Sequence, residues 1–393
     1  MFFGLVGGGK KVTYNIVLDV GSGSVGIGIV ASIDGAKYPK LVWTMREPVV
    51  RERMPSAESI KCSLQVSIQN VLKTASSRGM TVLRAEDPRA TISHVQATIA
   101  APWSYTITKT VHVRHETPFT LSKEVIEQMT KTARTEAHEE FKRTNAPALM
   151  GLAFLSNTMM NVYANGYHIK DPIGKRVTDA SSEQLIDLAD ADLVQAIEDG
   201  IERTFPGAER TIHSFMRIFY AALCELHVQS KEVCLVDVSD EATEVGIVRN
   251  GMLVHVSHIP YGTTSIARMI GERSNLPLHE GMTYLRGDSL VAYEKGSAKV
   301  GDIISEYDAA LIDVIRQSGS VLTMSKSVFL HTDQNTESFF ERRLLEVAKQ
   351  TNTTDAVVHK VTSRFMQADP KHDSALLVAA YVLHASPFVC TWK

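Results

Sequence analysis

The stretch Asn15-Ile-Val-Leu-Asp19-Val-Gly21-Ser22-Gly23-Ser24-Val25-Gly26-Ile27-Gly28-Ile29-Val30 is an apolar run ending in Asp, a turn of small residues, and a second apolar run. That pattern predicts a β-hairpin. Further along, Val233-Cys-Leu-Val-Asp237-Val-Ser239-Asp240-Glu241-Ala242-Thr243-Glu244-Val245-Gly246-Ile247-Val248 has the same design. Such a hairpin aims backbone N–H groups and turn hydroxyls at phosphate oxygens and keeps its Asp within reach of a hydrated Mg²⁺. Taken singly, each is also what an ordinary core β-turn-β looks like. As a pair, they predict two facing domains with a nucleotide cleft between them.

Asp19-Val-Gly-Ser-Gly-Ser resembles the first phosphate loop of the actin-like ATPase superfamily, and Leu235-Val-Asp-Val-Ser-Asp-Glu-Ala-Thr resembles the second. Within that superfamily the likeness is to the branch of the cell-division protein FtsA and the type IV pilus assembly protein PilM. The run from Ile247 through Gly251, Pro260 and Gly262 resembles the hairpin, Ile-Pro and Gly continuation of the second domain, which feeds a helix at 264–273. The fold class implied is α/β: actin-like, ribonuclease H-like duplicated domains flank a cleft and carry a small inserted α+β subdomain. The resemblance assigns 13–90 and 206–230, with a contribution from 374–386, to the first domain. It assigns 91–205 to the insert and 231–373 to the second domain, with a small outer subdomain near 271–300.

Composition agrees. A chain of 393 residues with 44% apolar and 22% charged residues suits more than one globular core. Lys+Arg 41 against Asp+Glu 44 leaves a formal charge of -3, so no basic excess points to nucleic acid. The four cysteines (Cys62, Cys224, Cys234 and Cys390) show no CxxC spacing, and His112 and His115 are read as surface or core residues, not ligands. No apolar run approaches the roughly 20 residues of a membrane-spanning helix. The start, Met1-Phe-Phe-Gly-Leu-Val-Gly-Gly-Gly-Lys-Lys, places its charges after its apolar part, unlike a signal peptide. The expectation is a cytoplasmic protein, at the inner face of the cell membrane if it meets one.

Periodicity predicts a strand over 41–49 and an amphipathic helix over 57–78, with Gly79 where a C-terminal cap belongs. A β-branched strand spans 90–101; in the family it opens the insert. Inside the insert, 106–113 alternates as a strand, and Ser122 caps a helix with Val125, Ile126, Met129, Ala133, Ala137 and Phe141 on one face. Asn165-Gly166 is a strong hairpin turn. The stretch Asp171-Pro172-Ile-Gly174 resembles the FtsA insert. Helices are expected over 190–201, 213–225 and 301–318, with a break at Pro206-Gly207. The segment 276–285 resembles the part of the outer subdomain that faces a nucleotide base.

If nucleotide binds, the resemblance implies that Gly21, Ser22, Gly23 and Ser24 contact phosphates, together with Ser239, Thr243 and Gly262 in the second half. Asp19 and Asp237 would hold Mg²⁺ through water. Glu225 and Asp237 are the candidates for a catalytic role, since phosphoryl transfer needs a water-positioning group. Two departures weaken ATP binding. His331, Thr332, Asp333, Gln334 and Asn335 stand where the adenosine motif has glycines, and a side chain there would meet the base. Ser239 replaces the second loop's glycine, and Asp240 and Glu241 follow, repelling a polyphosphate by roughly 1 to 4 kcal/mol per 4 Å pair.

The functional expectation is an FtsA-like adaptor with weak or degenerate ATP binding, a weak ATPase or pseudo-ATPase. It would self-assemble as a filament or dimer and link an FtsZ-like division partner to the membrane. The alternative is a PilM-like scaffold that binds a peptide of a membrane partner in a pilus or secretion platform. The C-terminal stretch carries almost no Lys or Arg around Leu376, Leu377, Ala380 and Leu383, so it reads as a core helix and not a lipid-binding one, with Phe388, Val389 and Trp392 left to meet an interface. Membrane association would then be peripheral or borrowed from a partner.

Overall fold

A computed structural model describes residues 11–50, 56–144, 151–226, 230–287, 298–319, 324–332, 335–369 and 371–385. The chain start, Asp333, Gln334, Cys390 and the terminal Phe388, Val389 and Trp392 lie outside the described residues.

Both quoted stretches form hairpins. The first is β1 (Val12–Val20) paired antiparallel with β2 (Ser24–Ile33), and the second is β10 (Val233–Val238) paired antiparallel with β11 (Thr243–Arg249). Each hairpin grows into a five-stranded sheet in the same way. β3 (Lys40–Pro48) continues the first antiparallel, and β4 (Ile92–Ile99) and β9 (Glu209–Ser214) add in parallel beyond β1. β12 (Met252–Ile259) continues the second, and β13 (Ser327–Thr332) and β14 (Val357–Lys360) add in parallel beyond β10. The orders β3-β2-β1-β4-β9 and β12-β11-β10-β13-β14 are one topology used twice. The central strands are apolar along their length because helices cover both faces.

Two helices lie between the sheets. α5 (Phe215–Leu226) and α10 (Ser374–Ala385) share one core with Val17 and Val30 of the first sheet and Leu235 and Phe329 of the second. All residues from Ala375 to Val382 are buried, as expected of a helix that is apolar all round. The terminal helix is thus a core element. Outside the first sheet pack α1 (Ala57–Thr74), α2 (Met80–Glu86) and α4 (Ala191–Thr204); outside the second pack α6 (Thr263–Ser274), α7 (Leu278–Arg286), α8 (Ala298–Gln317) and α9 (Glu337–Gln350).

A third sheet, β5-β8-β6-β7, comprises β5 (Ser104–Thr120), β8 (Arg176–Asp190), β6 (Leu152–Ala164) and β7 (Tyr167–Ile169) and carries α3 (Lys123–Thr144) on one face. Asn165 (φ 49°) and Gly166 (φ 84°) make the β6–β7 turn. Strand β4 pairs in the first sheet and α4 packs in its core, so by pairing and packing the added unit is narrower than 91–205.

Two local expectations fail. Gly79 does not end its helix. α1 runs through a π-helical turn at Ala75–Gly79 into α2, and Gly79 is buried where a Cβ would come within 2.9 Å of Ile29 and Trp43. The glycine is there for close approach to β2 and β3. His213 and Ser214 belong to β9, not to a helix, because β4 offers them a parallel partner far away in sequence. Among the described residues, no helix is long and apolar enough to cross a membrane.

Candidate functional site

Side chains alternate along a strand, so Asp19 continues the row of Val17 and Asp237 continues the row of Leu235, both facing the layer between the sheets. The hairpin turns that follow them meet. Ser22 Oγ donates to Ser239 Oγ at 3.0 Å and accepts from the Glu241 N–H at 3.0 Å. Ser239 Oγ lies 2.9 Å from the Ala101 carbonyl and 3.0 Å from that of Ala242. Both serines are buried, and these bonds occupy their hydroxyls.

Asp19 accepts at both oxygens. Thr98 Oγ1 donates to Oδ1 at 3.0 Å, and Arg46 Nη2 donates to Oδ2 at 2.7 Å. The Arg46 guanidinium also bonds Ser24 Oγ at 2.8 Å and grips Asp373 from Nη2, at 3.1 Å, and from Nε. One cation therefore joins β1, β2, β3 and the cap of α10, where Asp373 accepts from the Leu376 N–H. The two carboxylates divide its charge unequally. Burial pushes the Asp19 carboxyl above the usual range despite Arg46; at Asp373 burial acts in the same direction, but Arg46, the Leu376 N–H and His331 together outweigh it and hold the carboxyl low.

Asp237 Oδ1 lies 2.7 Å from His331 Nδ1, and His331 Nε2 lies 3.1 Å from Ser374 Oγ. The histidine ring packs on Phe215, 5.1 Å between centroids. His331 therefore turns inward and does not project where a base would lie; Thr332 is the residue of that pair that lines the cleft. The expected clash at His331 is replaced by a bond to the second aspartate.

The remaining expected residues serve the turns themselves. Gly21 donates its N–H to the Ser24 carbonyl at 3.0 Å, and Gly23 accepts from the Val49 N–H at 2.9 Å. Thr243 is fully buried and donates to the Tyr261 carbonyl at 2.6 Å. Gly262 begins α6 so close to the second turn that a Cβ would clash with the Ser239 carbonyl and come within 2.6 Å of Ala242 N. Asp240 and Glu241 are held by partners on α6. Asp240 accepts from Thr264 Oγ1 at 2.5 Å, and Glu241 pairs with Arg268 at 2.8 Å. Arg268 thus offsets part of the repulsion that Glu241 would exert on a polyphosphate. Glu225 stands exposed at the last turn of α5, about 15 Å along the axis from Phe215 at 1.5 Å per residue, and is not brought to the cleft.

Beside the turns opens a cavity of about 540 Å³ lined by Gly23, Ser24, Arg46, Thr332, Glu337 and Asp373 among others. Sequence reasoning missed Arg46, Asp373 and Glu337. The signal to be read was a basic residue on the strand next to a hairpin whose Asp had no other assigned counterion. Among the described residues, no group of three or more His, Cys, Asp and Glu is placed to hold a metal. Asp19 already accepts one bond at each oxygen, from Arg46 and from Thr98, so a hydrated Mg²⁺ would have to share this carboxylate with a cation in place.

No family model matches the sequence, and no curated protein matches it either. Among solved structures, the chain is similar to a chain of the PilM-PilN type IV pilus biogenesis complex, with 13% identity, 95% of this chain and 99% of that chain covered, and a TM-score of 0.59. It also aligns with the ethanolamine utilization protein EutJ of Carboxydothermus hydrogenoformans (12% identity, 94% and 89% covered, TM-score 0.45) and with a Bacteroides thetaiotaomicron protein of actin-like ATPase fold (10%, 93% and 95%, 0.46). These last two superpose too loosely to carry weight. The duplicated sheets, the paired hairpins and the near-complete overlap with the first of these structures give this chain the actin-like ATPase fold, in its PilM-like form.

Proposed function

We propose that this protein is a PilM-like scaffold, which uses the actin fold to hold a segment of a membrane protein in a pilus or secretion platform and does not turn over ATP. The carrying observation is the Ser22–Ser239 hydrogen bond, with Arg46 seated on Asp19: protein groups bridge the two turns where phosphates and a metal would sit. The similarity to a PilM-PilN complex over nearly both whole chains supports a membrane-protein partner of that kind. On this reading the halves, 13–90 with 206–230 and 231–373, are jaws held shut without nucleotide, and the protein works in the cytoplasm, at the membrane through its partner.

The Asn165-Gly166 turn and the Asp171-Pro172-Ile-Gly174 stretch favour a second reading, the FtsA-like adaptor that self-assembles and meets an FtsZ-like protein. Isothermal titration with Mg-ATP on the wild type and Asp19→Ala tests the cleft. Saturable heat in the wild type that the variant loses would end the nucleotide-free reading. Titration with cytoplasmic peptides of membrane proteins encoded beside this chain, set against cosedimentation with an FtsZ-like polymer, separates the two partners. Cosedimentation without any peptide binding would put the adaptor ahead of the scaffold.

A further inference from the structure

The chain enters the inserted sheet past Trp103 and leaves it at Asp190, whose N–H donates to the Trp103 carbonyl at 2.9 Å. From this root the insert docks along two seams. Toward the first half, Asp187 of β8 accepts from Ser214 of β9 at 3.1 Å and from Arg217 of α5 at 3.0 Å. Toward the second half, the Tyr105 ring of β5 packs on His258 of β12, 4.7 Å between centroids, and Thr108 Oγ1 donates to the Leu253 carbonyl at 2.9 Å. Asn161 of β6 meets Met252 on the same strand.

Each seam holds imidazoles that docking keeps from water. His213, beside Ser214, is 6% exposed. Burial pushes it down to about 4; Asp187 pulls the other way, while Arg217 and His94 act with burial. Burial also pushes His258 down to about 4. Glu244 stands directly across β11 from His258, and burial raises its carboxyl well above the ordinary value, so it is a poor counterion. His255 is lowered by burial as well, with Glu140 of α3 favouring its proton and Arg249 opposing it, and its Nε2 is sealed without a partner.

We propose that the insert is an acid-released arm: protonation of His213 and His258 undocks it from both halves while the two five-stranded sheets stay folded. In the released arm the imidazoles meet water and take up protons near their ordinary 6.5. Docking is therefore at full strength above that value and weakens as pH falls from it toward 4.

Leu185 of β8 is 2% exposed and faces the core shared with α5, so a thiol placed there is reached only when the arm lifts. The full chain carrying Leu185→Cys, Cys62→Ser and Cys390→Ser is labelled with dithiodipyridine, a reagent that also reacts in acid, and each rate is normalised to free cysteine at the same pH. The buried Cys224 and Cys234 report unfolding of the halves. Between pH 7 and pH 5 the labelling of the new thiol is expected to rise by about twentyfold for each of the two histidines, with Cys224 and Cys234 still protected. His258→Phe, which keeps a ring against Tyr105, and His213→Gln each remove one such step, and the double variant is flat. If His213→Gln does not fold, His258→Phe alone must still remove its step. Labelling that does not rise, a rise that the variants leave whole, or Cys224 and Cys234 labelled in step with the new thiol overturns the proposal.

Discussion

Ser22 and Ser239, 217 residues apart, are joined by a 3.0 Å hydrogen bond, so the turns of two separate sheets are in contact. In a fold built to clamp a ligand between these turns, the contact means that the jaws close on each other. The hydroxyls of both serines are satisfied within the protein, and a cavity opens to one side, between Arg46 and Thr332.

That contact is measurable. Ser22→Ala leaves the Glu241 N–H without its acceptor, and Ser239→Ala removes the partner hydroxyl. Each is expected to lower stability by about 1–2 kcal/mol, with a coupling near 1 kcal/mol in the double-mutant cycle. Urea unfolding of the four proteins gives these values. Strict additivity would show that the turns contribute nothing to holding the halves together.

Arg46 is the counterion of two carboxylates, so Arg46→Ala leaves Asp19 and Asp373 facing each other unpaired. The expected loss is about 3 kcal/mol, the low end for breaking a buried pair, because the Arg46 side chain is 25% exposed. Millimolar Mg²⁺ is expected to raise the melting temperature of the variant and leave the wild type unmoved. Arg46→Lys rescues only in part, since an ammonium cannot reproduce the forked contacts. A variant as stable as the wild type and indifferent to Mg²⁺ would remove the built-in-cation account.

Two glycines test close packing with different partners. At Gly79 an added methyl meets the side chains of Ile29 and Trp43, which can shift, and alanine favours the helix by about 1 kcal/mol. Gly79→Ala is expected to cost about 1 kcal/mol, because the Trp43 ring must give way and the helix preference of alanine offsets only part of that. At Gly262 the methyl meets backbone atoms of the second turn, so Gly262→Ala is expected to cost about 3 kcal/mol. Melting curves that rank the two variants the other way would contradict this.

Glu244 gives a pH signature. Its carboxyl is buried, and burial pushes it well above the ordinary 4.5, with the charges of Asp237 and Asp187 adding to the shift. A carboxyl raised by folding binds more protons folded than unfolded, so its contribution is complete below the unfolded value and is lost as pH rises toward the folded one. Asp19, also raised, acts in the same sense. Glu244→Gln is therefore expected to flatten the fall of stability above about pH 5 by up to about 1.4 kcal/mol per pH unit, and to gain on the wild type at about pH 8. Superimposable pH profiles for the two proteins would refute the assignment.

The hairpins at Asp19 and Asp237 were legible because period-two apolar runs and turn chemistry are local signals, and the terminal helix because its uniform apolarity admits only burial. Gly79 was misread because a glycine after an amphipathic run signals a cap unless one knows that Trp43 and Ile29 lie against it. The start of α5 was misplaced because β9 exists only through its pairing with β4.

The sequence by itself determined the two hairpins and most of the longer helices, since alternation, helical period and turn residues act over a few positions at a time, while the fold class came from the resemblance those hairpins carry. Tertiary structure alone decided what the hairpins do. Arg46 reaching Asp373, Ser22 reaching Ser239 and His331 turning toward Asp237 are contacts across 327, 217 and 94 residues. Which donor satisfies which carboxylate depends on how the two sheets come together around α5 and α10, a choice no short window of sequence contains.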